Sequence, residues 1–373
     1  MKKRLLIFHP TIAPYRIDFF NDLYGAFDTR VCLQYWNLRD QTFDYDKIYK
    51  QFAFRPQYLK EVCRLGARSI WGGYWKHLDE FAPDIVLVSE FNLITIVVLL
   101  HRWLKRKKYK VISICDDSYN MVAENNDFSR FHKLARRLVV PHLDDLILVE
   151  PKVTEWYKGH YGKGICFPII KREEKARGEY EAALPVSREL VHKHELEKKN
   201  VFLFVGRLVD IKNVDSIIRA FSKLDQKKNL LAVVGDGPER ERLERLSAEL
   251  GTKVLFTGRL EGEQLNAWYN VASCFILASY LEPFGAVTNE ALLAGCYALI
   301  SIKAGSSSLV EEGVNGYTFS PMDVDELAQK MEQVLLLEKN PCVDKGVRKN
   351  RMRVGYGEYF DVLLTKLNNQ NSK

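Results

Sequence analysis

Short, mainly apolar runs recur along the first part of the chain at positions 5–8, 31–34, 85–89, 111–114 and 145–149, with helical periodicity between most of them. Runs of this length suit parallel strands buried on both faces, and their alternation with helices predicts a doubly wound α/β domain. The charged segment 171–181 interrupts the pattern and is expected to be structureless, which places a linker there. The pattern restarts at 201–205, 230–234, 253–256, 274–278 and 298–301, predicting a second domain of the same kind. The expected division is a domain over 1–170, a linker and first helix over 171–199, and a second domain over 200–349. A last helix from about 350 is expected to cross back onto the first domain. Two such domains leave a central cleft between the carboxyl ends of their strands, where open α/β sheets bind ligands.

Composition agrees with this picture. The chain has 373 residues, 47% hydrophobic and 28% charged, as expected of a globular protein of two domains. Its seven cysteines are odd in number and scattered, with no Cys-x-x-Cys pair, so they read as reduced, mostly buried thiols of a cytoplasmic protein. Met1-Lys-Lys-Arg4 runs directly into the apolar run 5–8, which is too short for a signal-peptide core and reads as the first strand.

Charge changes the picture more. Residues 1–170 hold 26 Lys+Arg against 19 Asp+Glu, and residues 171–373 hold 29 of each, so the whole net charge of +7 lies in the first half. A basic half calls for an acidic partner, and an anionic membrane surface rather than nucleic acid is the expectation, with the protein peripheral to the membrane. The basic residues are densest at 101–110, directly after the apolar run 93–100, which is too short to span a bilayer. A second amphipathic segment sets Phe128, Phe131, Leu134 and Leu138 against Arg130, Lys133, Arg136 and Arg137. The plainer reading of both segments is two core-packed helices with solvated basic faces.

Candidate chemistry concentrates in the second half. Tyr280-Leu-Glu-Pro-Phe-Gly-Ala-Val-Thr-Asn-Glu290 joins a strand to a helix expected over 286–294, with Glu282 on the loop and Glu290 about one turn into the helix. Backbone N–H groups near Ala286, Val287 and Thr288 are expected to be free at the helix start, where an anion is favoured. Gly206-Arg207-Leu208 follows the first strand of this half, and Lys212 stands just before the next helix. Cations are the wrong sign for that end of a helix dipole, so Arg207 and Lys212 call for an anionic ligand such as a diphosphate. Carboxylates beside an anion site suit a ligand with both hydroxyls and phosphates, as in a sugar nucleotide. Gly235-Asp-Gly-Pro238 lacks the third glycine of a dinucleotide fingerprint and reads as a turn shaping the cleft. Gly258, with Leu260 after it, either lets backbone approach a flat nucleobase or makes a simple turn.

These residues together resemble the donor domain of group 1 (family 4) retaining glycosyltransferases of the GT-B fold, in which two Rossmann-like domains face a central cleft. The resemblance rests on Gly206-Arg207-Leu208 with Lys212, Gly235-Asp236-Gly237-Pro238, Phe256-x-Gly258, Glu282-Pro-Phe-Gly285 with Glu290, Gly305 and Asn315-Gly316. It is dense over 200–330 and architectural before 170. It implies that Arg207 and Lys212 hold the donor diphosphate. Glu282, Phe284 and Gly285 would then meet the sugar hydroxyls, and Glu290 the ribose. It further implies metal-free, cofactor-free transfer with retention from a UDP- or GDP-sugar to a cell-surface glycan or lipid-linked acceptor. A sugar-nucleotide epimerase and a catalytically silent partner subunit are the alternatives.

Two departures fall in the first half. The loop His9-Pro-Thr-Ile-Ala-Pro-Tyr15-Arg16 replaces the glycine pair often found there, with Tyr15 and Arg16 as candidates for the acceptor side and Arg16 as an anion contact. Asp116 stands where the family often has a histidine, and either accepts hydrogen bonds from the donor sugar or caps the next segment. The nearest histidine, His132, is expected on a helix face. Asp116-Asp117 and Asp144-Asp145 are adjacent pairs whose side chains diverge, a poor arrangement for a metal.

Overall fold

The structure is a computed structural model that describes residues 1–36, 45–65, 68–124, 129–337 and 345–369. The chain divides into two compact units, one of 1–169 with 359–373 and the other of 170–358.

In the first unit the strands are β1 Arg4–His9, β2 Asp28–Leu33, β3 Gln57–Tyr58, β4 Lys60–Leu65, β5 Arg68–Gly72, β6 Ile85–Ser89, β7 Lys110–Cys115, β8 Asp145–Leu148 and β9 Ile165–Cys166. Seven form a parallel sheet in the order β3-β2-β1-β6-β7-β8-β9, and β4 and β5 pair antiparallel as a separate hairpin. All five residues of β6 are buried, which is why its sequence, Ile-Val-Leu-Val-Ser, runs apolar rather than alternating. One face of the sheet packs Leu6, Phe8, Val86 and Val88 against Leu78, Ile94, Val98 and Tyr157 of the flanking helices. The short β3 and β9 and the hairpin carry no apolar run, and the sequence pattern does not reveal them.

The second unit has β10 Asn200–Val205, β11 Asn229–Val234, β12 Val254–Gly258, β13 Cys274–Leu277, β14 Tyr297–Ser301 and β15 Gly316–Phe319. They form one parallel sheet in the order β12-β11-β10-β13-β14-β15. The strand order reverses between β10 and β13, so the loops leaving these two neighbours diverge to opposite faces and open a crevice between them. The first sheet has the equivalent point between β1 and β6.

Two expectations need correction. The segment expected to be structureless at 171–181 forms most of a helix, Glu173–Ala182, with Glu173 and Glu174 in its first turn where the helix dipole favours acids. Its apolar contacts are sparse but sufficient: Ala176 and Tyr180 are both fully buried, and the high local charge lies on the exposed side. The helix Arg130–Val139 is also not packed as its charge pattern suggests. It buries Arg136 at 3% exposure, whereas Phe131 stands 84% exposed with Leu134 and Leu138 also outside. Phe128 lies outside the described residues.

Candidate functional site

The crevice of the second sheet gathers several of the expected residues. After β10 the chain passes through Gly206 and the exposed Arg207 to a single helical turn, Asp210–Lys212. Asn213 follows in a left-handed conformation, φ 54°, one of the few that asparagine tolerates without great cost. Its buried amide donates to Ala278 O at 3.2 Å and Pro321 O at 2.8 Å, while its Oδ1 accepts from Ser216 at 2.7 Å. Tyr280 N donates to Ile211 O at 2.9 Å. These bonds tie the turn before the helix Val214–Phe221 to the loop after β13, and they bring Lys212 Nζ onto Glu282 Oε2. Both side chains of this pair are mostly covered, at 22% and 15% exposure, and still open to the crevice. Among the described residues the Arg207 guanidinium meets no carboxylate, so its charge is available.

The Glu282 loop is held from its other side. Glu282 N donates to Lys303 O, Gly305 N to Glu282 O and Ser306 N to Phe284 O, so residues 282–284 run against 303–306. Gly285 has φ +92°, and a Cβ there would stand 2.7 Å from Leu277 Cδ2 and 3.2 Å from Glu282 Cγ. Glycine therefore lets the loop close on Glu282. Phe284 is buried at 2% exposure, so its ring anchors the loop rather than facing solvent. The helix begins at Val287, and Thr288 N already donates to Gly285 O at 3.0 Å. This corrects the expected trio of free amides: the turn formed by Gly285 consumes one, leaving those of Ala286 and Val287.

Glu290 lies further along that helix. Its Oε1 is 2.9 Å from Lys171 Nζ, and its Oε2 accepts from the buried Tyr269 hydroxyl at 3.0 Å. On the far side of β10, Gly235 N donates to Gly258 O at 2.9 Å, and a Cβ on Gly235 would stand 1.8 Å from Gly206 O. The Gly235 motif is thus a close backbone approach that seats the Gly206 turn. Gly258 itself has φ +78°, and the half-buried Leu260 follows it.

In the first unit the corresponding loops are closed by their own charges. Arg16 is buried and its Nη2 donates to Asp116 Oδ1, so the expected anion contact is already occupied. Tyr15, its neighbour, is 39% exposed. Asp116 caps nothing: the next helix, Tyr119–Ala123, starts after Ser118 without a side-chain cap. Asp117 turns the other way, to 1% exposure, and accepts from His132 at 2.8 Å, Arg136 at 3.0 Å and Tyr157 at 2.5 Å. His132 is therefore a partner of a buried carboxylate, not a simple helix-face residue. Burial pushes the Asp117 carboxyl up, but the His132 and Tyr157 hydrogen bonds with the Arg136 charge outweigh it and hold it below the usual range. The Asp117 bond in turn raises His132 above its ordinary value.

Glu90 completes this network from the end of β6. It sits at φ 60°, accepts from Asp116 N at 3.0 Å and from the Cys115 thiol at 3.4 Å, and is pushed up to about 7, by burial first and the Asp116 charge second. Glu90, Cys115 and Asp117 lie close enough together to share an ion. They fit one poorly, because burial drives the Cys115 thiol far from ionising and Asp117 is already saturated by three donors. Asp144 and Asp145 also diverge, the first to Arg102 and Val111 N, the second to Leu146 N and Gly164 N. His9, at the end of β1, donates from Nδ1 to Thr11 O at 2.7 Å and is lowered to about 4 by burial and the nearby Arg16 charge.

Sequence reasoning passed over Asn213, Lys171, Tyr269 and Glu90. Asn213 alone carried a signal, an asparagine directly before a helix. Lys171 is hidden in a charged segment, and the other two become site neighbours only through folding.

A protein of two parallel-sheet Rossmann-like units with a crevice of this composition has the GT-B fold, and solved structures bear this out. The apo lipopolysaccharide outer core galactosyltransferase WaaB aligns over 97% of this chain and 99% of its own, with TM-score 0.68 and 14% identity. Anabaena Alr3699/HepE in complex with UDP and glucose aligns over 98% and 99%, with TM-score 0.66 and 16% identity. Residues 186–349 match the family model described as glycosyl transferases group 1. An uncharacterized glycosyltransferase of Methanocaldococcus jannaschii is 34% identical over 37% of this chain, and the match spans 36% of that relative's length. A second protein of that organism with the same description is 26% identical over 78% of this chain and 79% of its own. A Campylobacter jejuni N-acetylgalactosaminyltransferase, whose name gives an undecaprenol-diphosphate-linked glycan as acceptor, is 33% identical over 40% of this chain and 42% of its own. Together these matches support a glycosyltransferase of group 1 type.

Proposed function

We propose that the protein transfers a hexose-type sugar, with retention of configuration, from a UDP- or GDP-sugar to a cell-surface glycan or lipid-linked acceptor, in the manner of family 4. The observation that carries this reading is the meeting of Lys212 and Glu282 at the strand-order reversal of the second sheet, on the loop that also carries Arg207, which pairs with no carboxylate among the described residues. Departure of a nucleoside diphosphate builds negative charge on its terminal phosphate. Arg207 and Lys212 would stabilise that charge, with the Ala286 and Val287 amides alongside, and no metal is required for this. Lys212 leaves Glu282 for the phosphate when donor binds, and Glu282 is then free to accept from the sugar hydroxyls. Its role is to orient the sugar. The Gly285 backbone approaches the same sugar, and Glu290 accepts from the ribose. Retention, as the family resemblance implies, follows from attack on the face the diphosphate leaves, with the departing phosphate taking the acceptor proton. The UDP bound in Alr3699/HepE supports a nucleotide donor here, and the names of the Campylobacter relative and WaaB support an acceptor of the cell envelope.

Peripheral attachment to an anionic membrane belongs to the same reading. No helix among the described residues is long and apolar enough to cross a membrane. Two helices of the first unit, Leu93–Leu104 and Arg130–Val139, nevertheless expose Trp103 at 74% and Phe131 at 84%, with Leu100, Leu104, Leu134 and Leu138 also outside. Ile96, Leu100, Trp103 and Leu138 line an open groove of about 1030 Å³ with Arg106 and Lys107. Apolar side chains rimmed by cations suit the headgroup region of an anionic bilayer, not bulk water.

The donor reading is tested by calorimetric titration of the protein with UDP and GDP, followed by transfer assays with their hexose conjugates. Binding of neither nucleotide would end it. Turnover of the sugar nucleotide without acceptor would instead identify an epimerase. Flotation with anionic and zwitterionic vesicles at low and high salt tests the membrane component, which requires salt-sensitive recovery with the anionic vesicles alone.

A further inference from the structure

Glu290 is held on both of its carboxylate oxygens by side chains that no motif predicts. Lys171, the second residue of the second unit, reaches Oε1 at 2.9 Å and also lies 3.5 Å from Glu179 Oε2. Its backbone N–H donates to Asn289 Oδ1 at 2.9 Å, so the residue is fixed at its main chain by the neighbour of the carboxylate that its ammonium meets. Tyr269, which is fully buried, donates to Oε2, and Tyr180 donates to the Glu290 carbonyl at 2.8 Å. Burial pulls the Lys171 ammonium down, but Glu290 and Glu179 outweigh it and raise it above its ordinary value, so the ammonium keeps its proton. Lys171, Glu179, Gly262, Asn266 and Glu290 line one cavity of about 390 Å³.

We propose that Lys171 and Tyr269 are positioning residues that make Glu290 a receptor for a vicinal diol, the ribose 2′- and 3′-hydroxyls of the nucleotide. The inference rests on the donor reading above. A glutamate has three side-chain torsions to freeze, and an untethered one would lose that freedom at the moment of binding. Here the tethers have frozen it in advance, and each carboxylate oxygen keeps a lone pair for a ribose hydroxyl. Lys171 also offsets the repulsion that Glu290 and Glu179 would otherwise exert on the diphosphate of the same ligand. Two ammonium protons face the two carboxylates, and the third remains for a ribose oxygen.

The test is titration of the full chain with UDP and GDP and with the 2′-deoxy and 3′-deoxy forms of whichever binds. In the unaltered protein, removal of one hydroxyl is expected to weaken binding about 10- to 30-fold, the loss of one hydrogen bond to a charged group. Lys171→Met is expected to weaken binding of the parent nucleotide about 10- to 50-fold and to shrink the deoxy penalty below about 3-fold, since the carboxylate is no longer held. Lys171→Arg should restore most of both effects. Tyr269→Phe, which removes one buried oxygen, should give a smaller version of the same coupling while melting close to the parent. A variant that loses affinity but keeps the full deoxy penalty would overturn the proposal, and so would Lys171→Met binding as the parent does. If the unaltered protein bound neither nucleotide, the donor reading would fail first and take this inference with it.

Discussion

The two units share one architecture and treat the ends of their strands in opposite ways. In the first, the loops beyond β1, β6 and β7 spend their charges on one another: Arg16 on Asp116, and His132, Arg136 and Tyr157 on Asp117, with Glu90 half-buried beside them. In the second, glycines at 235, 258 and 285 draw the backbone in, Lys212 and Glu282 pair where they stay open to the crevice, and the exposed Arg207 meets no carboxylate among the described residues. Buried charges that satisfy each other fix a shape, whereas accessible charges on a tightly packed backbone can be redirected to a ligand. The same sheet topology therefore ends in mutually satisfied charges in one unit and in accessible charges in the other.

The sharpest way to break this contrast is to remove the responsive charges. Lys212→Ala is expected to lower kcat/KM for transfer about 100- to 1000-fold, as for loss of one group stabilising developing charge, with thermal stability little changed. Glu282→Ala should lose comparable activity. If Asp116→Asn abolished transfer and Lys212→Ala did not, the roles of the two units would be reversed.

Next in size is a backbone effect confined to the second unit. Gly235→Ala would place a methyl 1.8 Å from Gly206 O, and the shift it forces should cost about 3 kcal/mol. Five of the six tryptophans lie in the first unit and only Trp268 in the second, so urea unfolding followed by circular dichroism should move while tryptophan fluorescence moves less. Coincident shifts would mean that the two units unfold together.

The buried network of the first unit carries a pH signature. Glu90 has its folded pKa raised from 4.5 to about 7, so the native state binds the extra proton; the stability it contributes is full below 4.5 and is lost as pH rises through 7. Glu90→Gln should therefore gain on the order of 2 kcal/mol at pH 8 and almost nothing at pH 4.5, read from urea midpoints. His9 acts in the opposite direction. Its pKa is lowered from 6.5 to about 4, so its contribution is full above 6.5 and is lost as pH falls toward 4. A gain at pH 4.5 as large as at pH 8 would show that packing, not protonation, governs Glu90. The smallest effect is expected at the surface: Phe131→Ser should lower recovery with anionic vesicles about 10-fold while changing stability by less than about 0.5 kcal/mol, because the ring meets solvent.

How much of this was legible beforehand varied with the kind of interaction. Strands with continuous apolar runs, such as β6, β10 and β13, stood out because burial on both faces leaves a composition no loop would have. β3, β9 and the β4–β5 hairpin did not, since short edge strands answer to neighbours. The helix Glu173–Ala182 was hidden because its burial rests on Ala176 and Tyr180 alone. Among candidate site residues, Arg207, Lys212, Glu282 and Glu290 showed through charge placed at odds with the helix dipole or beside a glycine turn. Asp116 and Arg16 were visible as polar residues at strand ends, but nothing local shows that they pair across 100 residues of chain.

By itself, then, the sequence determined the alternation of strand and helix and the charged residues placed at strand ends and helix starts, because burial, turns and helix ends impose their chemistry within a few residues. Tertiary structure decided which charges remain available. It turned Arg136 inward and Phe131 outward, set Lys212 on Glu282 through Asn213, and clamped Glu290 between Lys171 and Tyr269. Each of these depends on distances between residues far apart in the chain, and a charge becomes reactive, structural or adhesive only according to what folding places beside it.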